Sequence, residues 1–274
     1  MSRRLKRLGS QTAACLSLYI SGRTPRHEIQ DFVAKLVPHD LGVPLCRIGG
    51  QGDGGYIVPD DLEGIASCFS PGVADTANFE LELYHRGVNS FLADYSVDGP
   101  PPALPACDFT KKFVGAFDSP QAMTLDHWVS SKAPNRDAGD LILQMDIESA
   151  EYETLLATSD DTLSRFRIIV LELHKLHHLD NPLFHRFANA MLGKLLNQFE
   201  VAHIHANNAK PLSILSGVEV PPLLELTLLR KDRVKSKSAV SEFPHRLDVI
   251  NVPSRPEVRL PNYWYQPGQL NRAA

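Results

Sequence analysis

The segment LILQMDIESAEYETLL, residues 141 to 156, begins as a buried strand and ends as an amphipathic helix, with Asp146, Glu148, Ser149 and Glu151 at the junction. In open α/β sheets ligands bind beyond the carboxyl ends of the parallel strands, where the loops diverge. Two acids as close as Asp146 and Glu148 repel one another unless one takes a proton or a cation sits between them. The chemistry on offer is therefore general-base work or cation binding. The other reading is that Glu148 caps the following helix and Asp146 alone faces the pocket.

Other strand ends carry similar residues. FRIIVLELHKLHH places Glu172 and His174 two apart. If its strand neighbours that of Asp146, then Asp146, Glu148, Glu172 and His174 share one crevice, with His177 and His178 outside it. FEVAHIHANN brings His205 and Asn207 to a strand end and leaves His203 as a structural histidine. No H-x-x-x-H helix or comparable ligand grammar occurs, so no metal site is expected. CFSPGVADTANFE puts Gly72 directly after a strand and starts a helix near Asp75 or Thr76, so Gly72 and Asp75 are candidate contacts of a small ligand. FLADYSVD puts Asp94 at the carboxyl tip of its strand, placed to accept hydrogen bonds from two ribose hydroxyls, with Asp98 as the fallback. The chain has no G-x-G-x-x-G and no P-loop, which argues against a dinucleotide or a nucleoside triphosphate.

These residues need a sheet to hold them. Seven apolar runs read as strands: GIASCFS, VNSFLADYS, KKFVGAFD, LILQMDI, FRIIVLELH, FEVAHIHAN and LLELTLLRK. Helical patterns alternate with them, including PRHEIQDFVAKLV, TANFELELYHRG and residues 181–198. The last two runs lack a crossover helix between them, as antiparallel neighbours do. The expected fold is α/β, a Rossmann-like doubly wound seven-stranded sheet, mostly parallel with one antiparallel strand. CRIGGQGDGGYIV, with five glycines, makes turns or lies close against a ligand. The expected organisation is an N-terminal helical extension over 1–46, the sheet domain over 47–233, and a tail over 234–274 that packs on the domain and is anchored by Tyr263, Trp264 and Tyr265.

The 274 residues carry a net charge of −4, which gives no support to nucleic acid as a partner. Four widely spaced cysteines, without a C-x-x-C pair, suit a reducing compartment, so the expected location is cytoplasmic. The basic N-terminus has an apolar run too short to span a bilayer, and reads as an amphipathic helix on the domain or a weak membrane-surface contact.

Together the motifs resemble a known family. LILQMDIESAEYETLL is similar to the hallmark segment of FkbM-like methyltransferases, L-K-x-D-x-E-G-A-E-x-x-x-L; MTLDHWV resembles their T-L-D segment, and FRIIVLELH the strand that follows. The resemblance runs from about Arg47 to Arg230. It implies a class I methyltransferase fold that binds S-adenosylmethionine, with Gly72 at the methionine end of the cofactor, Asp94 at the ribose and Asp118 near the adenine. It also implies a methyl-transfer pocket bordered by the acids of MDIESAEY, and O-methylation of a hydroxyl on a sugar or other small metabolite. In that reaction Asp146 or His174 takes the hydroxyl proton, and Glu148 positions acceptor or base. Two departures stand out: Ser149 replaces the usual glycine, and Gln144 replaces lysine, read here as a surface substitution. The competing readings are a metal-dependent nucleotide-sugar glycosyltransferase, since D-x-E resembles D-x-D, and a non-catalytic binding module.

Overall fold

The computed structural model describes residues 22–73, 76–101, 104–105 and 107–266. The expected N-terminal amphipathic segment lies outside them, as does Asp75. No helix among the described residues is long and apolar enough to cross a membrane.

The first helix among the described residues, α1 (Arg26–Ala34), buries Ile29, Phe32 and Val33 on one stripe. A hairpin follows, β1 (Leu45–Ile48) antiparallel to β2 (Tyr56–Pro59), with the glycine-rich segment at its tip. The glycines serve that tip. A Cβ on Gly49 would stand 2.4 Å from the Gly54 carbonyl oxygen and one on Gly55 2.5 Å from that of Gly50. Arg47 ties the loop from inside, its Nε donating to Gly50 O at 2.6 Å and its Nη2 to Gly52 O at 2.8 Å.

The expected seven-stranded sheet is present. Its members are β3 (Ile65–Pro71), β4 (Asn89–Ala93), β5 (Cys107–Thr110), β8 (Asp140–Met145), β9 (Phe166–Leu173), β10 (Phe199–Ala206) and β11 (Leu224–Arg230). They lie in the order β10-β11-β9-β8-β3-β4-β5. Every pairing is parallel except those of β11, which runs against both β9 and β10. The central strands β8 and β9 are buried almost throughout, as continuous apolar runs covered on both faces should be. Helices α2 (Asn78–His85), α3 (Leu125–Lys132), α4 (Glu151–Ala157) and α5 (Pro182–Gln198) supply connections and covering layers.

One strand assignment is corrected. KKFVGAFD does not enter the main sheet; β6 (Phe113–Gly115) pairs in parallel with β7 (Ala122–Thr124) in a separate ribbon. The third parallel strand is β5, a short edge strand whose residues are only half buried, so it needs no apolar run to hold its place.

The last described residues lie against the domain. Trp264 is fully buried and its Nε1 donates to Glu219 O at 3.0 Å, while Tyr265 stacks on Phe243 with ring centroids 4.3 Å apart. Asn251 Nδ2 donates to Glu225 Oε1 at 2.6 Å.

Candidate active site

The strand order reverses between β3 and β8, the topological switch point at which ligands enter such sheets. The two strands leave almost no space there. Gly72, directly after β3, has φ +92°, and a Cβ on it would fall 1.6 Å from the Asp146 carbonyl oxygen. Gly72 N donates to Ala93 O at 3.0 Å, and Asp146 N to Pro71 O at 3.4 Å. Three strand ends are thereby laced together by backbone alone.

A cavity of about 540 Å³ opens at this point, lined by Gly72, Asp94, Phe113, Phe117, Asp146 and Glu148 among others. Asp94 is largely buried, and its Oδ1 accepts from Ser96 N and Ser96 Oγ, both at 2.6 Å. Phe117 is 66% exposed, an unusual state for a phenylalanine and one that leaves its ring free to cover a ligand. Neither Phe113 nor Phe117 was singled out in the sequence; the signal lay in KKFVGAFD, a run too readily taken for a strand. Asp118 does not line the cavity. Its Oδ1 accepts from Thr124 N at 3.1 Å and lies 2.9 Å from His127 Nδ1, and these contacts, the backbone one first, hold its carboxyl below the usual range.

On the other side of Asp146 the sheet gathers acids around one imidazole. His174 Nδ1 donates to Glu151 Oε1 at 3.1 Å and lies 3.1 Å from Glu172 O. Both neighbours are acceptors, so the Nδ1 proton is fixed. Nε2 then faces Glu148 Oε2 at 3.5 Å, Asp146 Oδ1 at 3.7 Å and Glu172 Oε2 at 3.8 Å. The structure thus brings Asp146, Glu148, Glu172 and His174 together, and donor atoms of Asp146, Glu148 and His174 lie within 4.8 Å of one another.

Their electrostatics follow from this crowding. Burial pushes Asp146 up to about 6, against the hydrogen bond it shares with Glu172. Burial and the Asp146 charge push Glu172 up to about 9, which makes it the member of that pair that keeps a proton. Burial works against a charge on His174, yet its bond to Glu151 and the nearby carboxylates outweigh this and raise it to about 9. The acid pair that shares a hydrogen bond is therefore Asp146 with Glu172, across neighbouring strands.

Glu148 is no helix cap: Ala150 occupies the N-cap of α4 without a side-chain bond. Residues 148 and 149 leave the strand in a left-handed turn, with φ +56° and +87°. Ser149 thus keeps a conformation natural to glycine, and its hydroxyl bonds the Glu148 carbonyl. The turn is fastened from below by Glu151, fully buried, whose Oε1 accepts from Ile147 N at 3.0 Å, Ser149 N at 3.1 Å and His174 Nδ1. Its role could not be read from spacing, since it depends on a turn that returns the backbone over the side chain.

Gln144 is not on the surface. It is buried beneath the site, with Nε2 donating to Tyr56 Oη at 3.3 Å and Oε1 lying 2.8 Å from Ser70 Oγ. A lysine there would bring a charge beside the buried Glu80, whose Oε1 is 2.5 Å from the same Ser70 hydroxyl. Further along the edge, Asn207 Nδ2 donates to Glu172 Oε1 at 2.7 Å and His205 Nδ1 lies 3.2 Å from Glu225 Oε2. His203 Nε2 is 3.1 Å from Asp248 Oδ1.

A Rossmann-like doubly wound sheet with a ligand-sized cavity at its switch point defines the class of this protein. Residues 68–199 match the methyltransferase FkbM domain, the family that the motifs resemble. Among solved structures the chain is similar to a TehB-like SAM-dependent methyltransferase from Corynebacterium glutamicum. The two share 11% identity over 83% of this chain and 97% of that one, with a TM-score of 0.32, a likeness on which nothing further rests. No curated protein matches the sequence.

Proposed function

We propose that this protein is an S-adenosylmethionine-dependent O-methyltransferase acting on a hydroxyl of a small metabolite or glycan. The observation that carries the reading is the single cavity that joins Gly72 and Asp94 to Asp146 and Glu148 at the strand-order reversal of an FkbM methyltransferase domain.

In this reading the side-chain-free surface at Gly72 admits the methionine portion, whose close approach any Cβ would prevent. Asp94 is held by Ser96 through one oxygen, which leaves Oδ2 to accept from the ribose hydroxyls. Phe113 and Phe117 cover the adenine end. Methyl transfer is an in-line displacement, in which the acceptor oxygen attacks the methyl carbon as the carbon–sulfur bond breaks and the sulfonium leaves as a neutral thioether. The protein's main contribution is to hold donor and acceptor aligned. The acceptor must also lose its proton. Asp146 is the proton acceptor, because it stands at the central strand end and lines the cavity, whereas His174 Nδ1 is committed to Glu151 and its Nε2 is turned towards carboxylates.

The test is transfer of labelled methyl from S-adenosylmethionine to a panel of sugars and hydroxylated metabolites, with Asp146→Asn alongside. Transfer that Asp146→Asn lowers at least 100-fold while cofactor affinity is kept supports the assignment. Full turnover by Asp146→Asn removes it as the base.

A further inference from the structure

The imidazole of His174 raises a separate question. Its side chain is nine-tenths buried, its Nδ1 proton is fixed, and its Nε2 has no hydrogen-bond partner within reach, yet that atom is aimed into a ring of three carboxylate oxygens at 3.5 to 3.8 Å. Without a metal, a proton on Nε2 faces these oxygens; a divalent cation would take that proton's place and meet the imidazole lone pair and the carboxylates together. Each of Asp146, Glu148, Glu151 and Glu172 has His174 as its ion-pair partner, so one imidazole is set against four acids.

We infer that Asp146 Oδ1, Glu148 Oε2 and His174 Nε2 form a binding site for a divalent first-row transition-metal cation, with Glu172 Oε2 as a fourth donor.

The donor set is mixed, one imidazole and carboxylates, which suits manganese, iron or zinc better than the all-oxygen surroundings calcium and magnesium prefer. The spacing fits as well. Ligands about 2.0–2.2 Å from a tetrahedral ion lie roughly 3.4 Å apart; the separations from His174 Nε2, 3.5 to 3.8 Å, are close to this, and the donor atoms of Asp146, Glu148 and His174 lie within 4.8 Å of one another, so a closing movement of one carboxylate completes the set. Glu148 can supply that movement, being 89% exposed and on a turn. The outer contacts are those of a built site: buried Glu151 holds His174 Nδ1, and Asn207 Nδ2 holds the second oxygen of Glu172 at 2.7 Å. Carboxylate-to-histidine contacts of this kind fix the ring orientation and tautomer that a metal needs. The assignment rests on side-chain geometry and goes beyond the identity of the methyl donor.

The test is a titration of the full chain with Mn²⁺ by calorimetry, using wild type, Glu148→Gln, His174→Gln and Glu151→Gln, with S-adenosylmethionine titrated into the same preparations. One equivalent of Mn²⁺ is expected, weakened at least 10-fold by Glu148→Gln and His174→Gln and about 10-fold by the outer-contact variant Glu151→Gln. Glu148 is exposed, so its variant keeps the fold and isolates the ligand. No Mn²⁺ binding up to millimolar concentration in a folded preparation overturns the site, whether or not the methyl donor binds. Binding that neither Glu148→Gln nor His174→Gln changes overturns it too. One equivalent lost with those side chains supports the site even in a protein that fails to bind S-adenosylmethionine, and that failure would count against the proposed function alone.

Discussion

Gly72 and Asp146 meet so closely that a side chain on the first would overlap the carbonyl of the second, at 1.6 Å. This contact clamps the two strands flanking the reversal of strand order and leaves the cavity floor without side chains. Gly72→Ala should therefore be severely destabilising. The left-handed backbone costs about 1–2 kcal/mol for a residue with a Cβ, and overpacking about 1–3 kcal/mol more. Urea unfolding should show a lower midpoint with an unchanged slope, and any folded fraction should fail to bind S-adenosylmethionine.

Ser149 holds φ +87°, where glycine belongs. Ser149→Gly should stabilise the protein by about 0.5–1 kcal/mol, the strain relieved less the extra freedom of an unfolded glycine. A raised thermal midpoint with unaltered cofactor affinity is the expected result. A loss of stability or affinity would mean that the serine hydroxyl contributes something beyond its bond to Glu148.

Removal of the Glu151 carboxylate leaves Ile147 N, Ser149 N and His174 Nδ1 without their acceptor. Each such donor costs about 1–3 kcal/mol when buried and unpaired, and the site turn would loosen with them. Glu151→Ala should lose several kcal/mol in urea titration together with nearly all activity. Glu151→Gln, which still offers a carbonyl oxygen, should retain most of the stability.

Asp140 sits at the opposite end of β8. Burial opposes its charge, but Arg230 Nη1 and Arg167 Nε, both donating at 2.8 Å, outweigh burial and hold its carboxyl below the usual range. At Asp61 the hydrogen bonds from Arg233, both at 2.7 Å, are the main cause of a shift in the same direction. A depressed carboxylate contributes stability that is complete above its unfolded value, about 3.9, and is lost as pH falls through the lower folded value. The difference in unfolding free energy between wild type and Asp140→Asn should therefore be constant from pH 7 to pH 5 and shrink below about pH 4. A constant difference down to pH 3 would rule out the pairing as its source.

The parts of this site legible in the sequence are those governed by strand periodicity. Asp94, Asp146, Glu172 and His174 stand at or next to the carboxyl ends of apolar runs, and alternation alone places them at one edge. Elsewhere periodicity misleads. Glu148 looks like the next residue on the face of Asp146, but the strand has ended and a left-handed turn carries it outward. The edge strand Cys107–Thr110 has no apolar run to announce it, and Phe113–Gly115, which does, folds beside the cavity. Gln144 and Glu151 are polar residues buried by tertiary contact, and a lone polar residue in a local pattern reads as surface.

The most direct test is calorimetric titration with S-adenosylmethionine, and separately with a uridine diphosphate sugar plus Mn²⁺, of wild type and Asp94→Ala. The methyl donor is expected to bind wild type at one site, and Asp94→Ala to abolish the binding. Binding of the nucleotide sugar alone, and only with the metal, would contradict that expectation and make the acids after LILQM the metal ligands of a glycosyltransferase.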